Sequence, residues 1–182
     1  MKPIMKSVPA ALAIALALGV PAYAQAQDTQ AASTTAANPL PDVDRDFVQA
    51  ASQGSSTEID ASKLAMKNTK NKDVRSFARH MITDHTKMTL ELKMAAPHGV
   101  TVPKDNSDTA LLDSLRPLKG AEFDKAYAQK VGLDAHKQAL AAFKKEASDG
   151  QNASLKKAAQ KALPTLEKHY KMAQDLAKKV GV

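Results

Sequence analysis

The stretch FARHMITDHTKM, residues 77–88, carries the pattern that organises the rest of the chain. Phe77, Ala78, Met81 and Met88 recur at helical spacing and describe the buried face of a helix. His85 falls on that same face, between Met81 and Met88. A leucine would pack there at no electrostatic cost, whereas an ionisable ring is rarely buried unless it is paired.

The same three-and-four spacing recurs on both sides of this stretch. It predicts four long helices, over about residues 43–69, 72–96, 121–148 and 152–180. Asp42 or Asp44 is the expected cap of the first, NTKN (68–71) breaks it from the second, and Pro97 ends the second. Gly150 is the expected stop of the third helix. Pro164 lies inside the fourth and should bend it without ending it. The long connection 97–120 contains SDTALLDSL, which reads as a short helix. Runs of Val, Ile and Thr are scarce, so strands are not expected. Four helices joined short–long–short predict an all-α, ferritin-like four-helix bundle over residues 42–181 with one long crossover.

The chain of 182 residues is 43% hydrophobic and 25% charged, which suits one modest globular domain. MKPIMK is a short basic segment, SVPAALAIALALGV is apolar but too short for a good membrane span, and AYA (22–24) is a small-x-small cleavage site. Together they read as a signal peptide over residues 1–24, giving a periplasmic or secreted protein with no stable membrane span after cleavage. Residues 25–41, polar, alanine-rich and ending in two prolines, read as a disordered linker. The formal charge is +7, and loss of Lys2 and Lys6 leaves +5. Only 4% of residues are aromatic and no nucleic-acid motif is present, so nucleic acid is not an expected partner. The absence of cysteine excludes thiolate metal sites and cysteine nucleophiles.

Each predicted stripe carries one ionisable residue near its middle. The first helix presents Phe47, Ala51, Gly54, Glu58, Ala61 and Ala65; the second adds Val74, Leu92 and Ala95 around His85. The third presents Ala126, Gln129, Leu133, His136, Leu140, Phe143 and Ala147. The fourth presents Leu155, Ala159, Ala162, Leu166, His169, Ala173, Leu176 and Val180. If the third helix starts at the end of the bundle where the second starts, Glu58, His85, His136 and His169 agree in height within about one turn. One carboxylate and three imidazoles in one core layer form a candidate site for a transition metal, Zn, Fe, Mn or Cu. The alternative is a metal-free polar layer in which Glu58 accepts from the histidine rings.

Asp84 and Asp134, next in sequence to His85 and His136, are candidate outer hydrogen-bond partners. Met81, Met88 and Met172 lie beside the histidines; thioethers would favour Cu(I), although methionine stripes are usually core filler. His80, His98, Glu91, Glu146 and Glu167 miss the seams, and Tyr127 and Tyr170 read as packing residues.

FARHMITDHTK, YAQKVGLDAHKQALAAFKKEAS and ALPTLEKHYKMAQDLA resemble a large family of exported bacterial proteins described only as a domain of unknown function and regarded as ferritin-like. The resemblance spans about residues 43–179, with Asp84-His85, His136 and Leu163-Pro164…His169 its most specific parts. It implies the fold and an exported location, and no reaction. The Glu-x-x-His pairs of di-iron ferritin-like proteins are missing, because Ile82, Leu133 and Leu166 stand three residues before His85, His136 and His169. Three functions are compatible with these residues: metal sequestration or envelope stress defence, a metal-free interaction module of the cell envelope, and a metal-dependent oxidase or peroxide scavenger.

Overall fold

The computed structural model describes residues 40–182. The expected signal peptide and all but the last two residues of the expected linker lie outside the described residues. The described chain is all-α. Its elements are α1 (Asp42–Asn68), α2 (Lys72–Ala95), α3 (Thr109–Leu115), α4 (Gly120–Tyr127), a π-helical segment (Ala128–Ala135), α5 (His136–Asp149) and α6 (Ala153–Val180). Among the described residues no helix is long and apolar enough to cross a membrane.

Local chemistry sets most of the helix ends. Asn71 caps α2 by accepting from the backbone N–H of Asp73 and Val74, and Asn152 caps α6 by accepting from Ser154 and Leu155. Asp108 caps α3 through Leu111 N–H at 3.0 Å. Gly181, at φ 80°, closes α6 in the left-handed conformation. The start of α1 differs from expectation. Pro41 occupies the cap position without a side-chain bond, and neither Asp42 nor Asp44 caps α1. The buried Asp44 carboxylate instead accepts from the backbone N–H of Gln151 and Asn152, both at 3.0 Å, and so ties the first turn of α1 to the start of α6.

Contacts at the helix ends define the topology. Asn68 at the end of α1 donates to the carbonyls of Arg116 and Leu118, just before α4. Lys179 at the end of α6 pairs with Asp73 at the start of α2. The composite helix α4–π–α5 therefore begins at the end where α2 begins and runs parallel to it. Residues 96–119 carry the chain back along α1, held by Asn106 on Ser52, Ser107 on Asp60 and Asp108 N–H on Thr57. α1 packs against α2 and α5, and α6 packs against α2, α5 and the π segment.

The π segment is the main departure from the expected helices. Counting back from His136 in steps of three and four predicts Leu133, Gln129 and Ala126 inside. The buried residues are instead Gly132, Val131, Ala128, Tyr127, Asp124 and Phe123, and from the core residue Val131 to His136 is a step of five. A π turn closes on the fifth residue rather than the fourth, so it inserts one residue into the stripe and rotates everything before it. Gly132 sits where this widened turn meets α6: a Cβ there would lie 3.1 Å from that of Ala173. Gly150 stops α5 as expected, but at φ −53° rather than in the left-handed conformation; glycine is needed there because a Cβ would collide with Glu146.

The apolar core has two parts. One contains Ala61, Ala65, Phe77, Met81, Tyr127, Val131 and Ala173 toward one end. The other contains Phe47, Ala51, Met88, Phe143, Leu155 and Leu166 toward the other. In each long helix the boundary between them falls at one residue: Glu58, His85, His136 or His169.

Candidate metal centre

At that boundary the side chains of Glu58, His85, His136 and His169 are all buried, none more than 2% exposed. The rings of His85, His136 and His169 have centroids 5.4–5.8 Å apart in pairs. One nitrogen from each lies within 4.8 Å of the others. Glu58 Oε2 is 2.9 Å from His85 Nε2 and 3.2 Å from His136 Nε2. Despite these separations, Glu58 Oε2, His85 Nε2, His136 Nε2 and His169 Nδ1 have no properly directed hydrogen-bond partner. The atoms are close to one another but are not aimed along the lines that join them.

The other nitrogen of each ring is engaged. His136 Nδ1 donates to the carbonyl of Val131 at 3.0 Å, a group within the π segment and five residues back. His169 Nε2 donates to Asp84 Oδ2 at 2.8 Å across the α2–α6 contact. His85 Nδ1 faces Ser55 Oγ at 3.4 Å. With their outer nitrogens donating to a carbonyl and a carboxylate, His136 and His169 each turn a lone pair inward, while the hydroxyl of Ser55 can pair with either tautomer of His85. Outer partners of this kind fix the ring and select its tautomer in metal-binding histidines.

Burial raises the carboxyl of Glu58, but positive charge on the facing rings of His85 and His136, with His85 at hydrogen-bonding distance, outweighs it and holds Glu58 below its ordinary range as a carboxylate; a bound cation would supply that positive charge in place of ring protons. Burial lowers His169 to about 4; His85 and His136 add to the shift and Asp84 opposes it. A neutral His169 and an ionised Glu58 are the forms that a cation requires. The three buried histidines could hold a metal ion. Donors about 2.1 Å from one tetrahedral ion lie roughly 3.4 Å apart, so closure asks each ring to move by about an ångström.

The structure distributes the other sequence candidates. Asp84 bonds to His169 on α6, not to His85 beside it in sequence. Asp134 is exposed and accepts from Gln129 Nε2; the outer partner of His136 is the Val131 carbonyl. Met81 and Met88 are buried in the apolar clusters on either side of the layer, and Met172 packs against the first of them. His80 and His98 are exposed. Glu91 pairs with Lys161 at 2.9 Å, and Glu167 reaches Lys144 at 4.0 Å. Glu146, expected away from the seams, is fully buried.

Two functional partners were not anticipated. Ser55 precedes Glu58 by three residues, a spacing that puts both on one helix face and could have revealed it. The Val131 carbonyl had no signal, because a main-chain group is freed there only by the π turn. One turn from Glu58, Ser62 and the buried Tyr127 share a 2.6 Å hydrogen bond, and burial pushes the phenol up.

The family model described as Domain of unknown function (DUF4142) matches residues 28–176. No curated protein and no solved structure matches the chain.

Proposed function

We propose that this chain, which belongs to the Domain of unknown function (DUF4142) family, is an exported ferritin-like four-helix bundle that holds one transition metal ion for sequestration or envelope stress defence. His85, His136 and His169 supply nitrogen, Glu58 supplies oxygen, and Asp84, Val131 and Ser55 orient the rings. The observation that carries this reading is the set of four buried donor atoms, one from each long helix, without directed partners. An unpartnered buried polar atom costs about 1–3 kcal/mol. Four in one layer are hard to sustain unless something positive joins them.

The helix neighbours and the parallel run of α2 and α4–π–α5 support the ferritin-like topology. The N-terminal pattern of residues 1–24 supports export. Three nitrogens and one carboxylate oxygen suit Zn²⁺, Fe²⁺, Mn²⁺ or Cu²⁺. A bound ion would supply Lewis acidity, and the four converging donors support binding as the function the residues favour.

The short approach of Glu58 to His85 and His136 favours one competing reading, a proton in place of a metal and a polar layer that only sets helix register. Untagged protein purified from the periplasm and titrated with Zn²⁺ and Co²⁺ separates the two. The metal reading expects one equivalent bound, lost on His136→Ala. Uptake below about a tenth of an equivalent, with a melting temperature unmoved by metal or chelator, would leave the polar layer.

A further inference from the structure

A cavity of about 180 Å³ lies directly against the Glu58–His85 side of the layer. Ala50, Gln53, Asp108 and Gln138 are exposed at its rim, and the buried Glu58 and His85 are at its floor. Its walls come mainly from α1 and α5, with Leu166 of α6 and Met88 of α2 behind them, and are mostly small or apolar, Ala139 and Phe143 among them. The only ionisable residues along it are Asp108, Glu58 and His85; no lysine or arginine lines it, in a chain of net charge +7.

Gly54 lies on this wall in the middle of α1. A glycine inside a 27-residue helix weakens it relative to alanine. Its φ is not positive, and a Cβ at this position would meet nothing within 4 Å. Neither backbone conformation nor close packing therefore requires glycine. What its missing side chain leaves is space in front of Glu58.

We infer that this cavity is the binding site of a small neutral donor molecule, no more than a few heavy atoms across, that reaches the metal held by the layer. The side chains of Glu58 and His85 form its inner end, with the buried Glu58 Oε2 and His85 Nε2 among the donor atoms of the layer those residues belong to. An anion finds no cationic side chain in the cavity and meets the carboxylates of Asp108 and Glu58. A bulky ligand exceeds the volume, since sites for drug-sized molecules run to about 300–1,000 Å³. Gly54 and the facing alanines of α5 set the bore.

The inference rests on the metal reading, and the experiment separates their failures. Co²⁺-loaded protein is titrated with imidazole, mainly neutral at pH 8, and with azide, while its visible spectrum and bound cobalt are followed. The expected result is a saturable spectral change with imidazole at constant cobalt, and weaker binding of azide. Gly54→Leu should bind one cobalt as before and take imidazole at least tenfold more weakly. Ala142→Leu, on the facing wall, should do the same and stands in if Gly54→Leu fails to fold. Cobalt bound without response to imidazole, an unchanged imidazole affinity in the folded variants, or tighter azide than imidazole overturns this inference and spares the metal reading. No cobalt bound overturns both.

Discussion

Glu146→Gln should reverse a pH-dependent loss of stability. Glu146 has no exposed surface, and neither of its oxygens has a hydrogen-bond partner. Burial first, then Asp44, which can accept a hydrogen bond only from the protonated carboxyl and whose charge repels the ionised one, push the carboxyl up to about 7, with Lys156 pulling the other way. A group whose pKa is raised by folding favours its protonated form in the native state. Its stabilisation is therefore complete below about 4.5, the unfolded value, and is lost as pH rises through about 7. The rise from 4.5 corresponds to a ceiling of about 3 kcal/mol at 1.36 kcal/mol per pH unit. Glu146 lies one turn from the end of α5, and its neighbours Lys145 and Asp149 are exposed, so screening brings the expected loss nearer 1–2 kcal/mol. Glutamine keeps the shape and cannot ionise. The variant should match the parent at pH 5 and exceed its stability by about 1–2 kcal/mol at pH 8.5. Urea unfolding followed by far-UV circular dichroism, in chelator, at half-unit pH steps reads this directly. His169 acts in the opposite sense: its depressed pKa gives stability that is present above about 6.5 and is lost as pH falls through about 4. Because both proteins contain His169, the difference between them cancels it. A difference that stays constant from pH 5 to 8.5, or that grows toward acid, would refute the assignment.

Asp84→Asn should weaken Zn²⁺ binding about 10–100-fold in a competition assay with a chromophoric chelator, since it loosens the grip on His169 without removing a donor. Gly54→Ala should raise stability by about 0.5–1 kcal/mol in urea, because a helical glycine is replaced where a Cβ meets nothing. Gly132→Ala should go the other way, since its Cβ would lie 3.1 Å from that of Ala173; a thermal melt at or above the parent's would contradict the close approach of the π segment to α6. Phe77→Ala, which removes a buried ring beside Tyr127 and His136, should cost about 3–5 kcal/mol in the same unfolding assay.

Helical periodicity and breakers made the long helices legible because they act locally. Asn71, Asn152 and Gly181 cap helices through groups within a few residues, and the stripes of α1, α2 and α6 follow from the helix period alone. His85 and His169 stand out for the same reason: each interrupts an apolar stripe that needs no partner to be seen. Other features were set by groups distant in sequence. Asp44 looked like a cap for its own helix but spends its carboxylate on the start of α6, about a hundred residues away. Asp84 looked like a partner of His85, yet the helix points adjacent side chains apart and delivers Asp84 to His169 instead. Glu146 missed a seam counted along one helix and is buried by the end of another. The π segment is the sharpest case. AQKVGLDA has no local signal for an extra residue per turn; packing against Ala173 of α6 accommodates it, and with it come the shifted stripe and the carbonyl that orients His136. Helical spacing put Glu58, His85, His136 and His169 near the middle of their stripes, and their common height followed once the contacts of Asn68 and Lys179 fixed the end from which α4 starts. Which way each ring turns was not legible along the chain, because it follows from the outer hydrogen-bond partner, and two of the three partners, Ser55 and Asp84, lie on another helix.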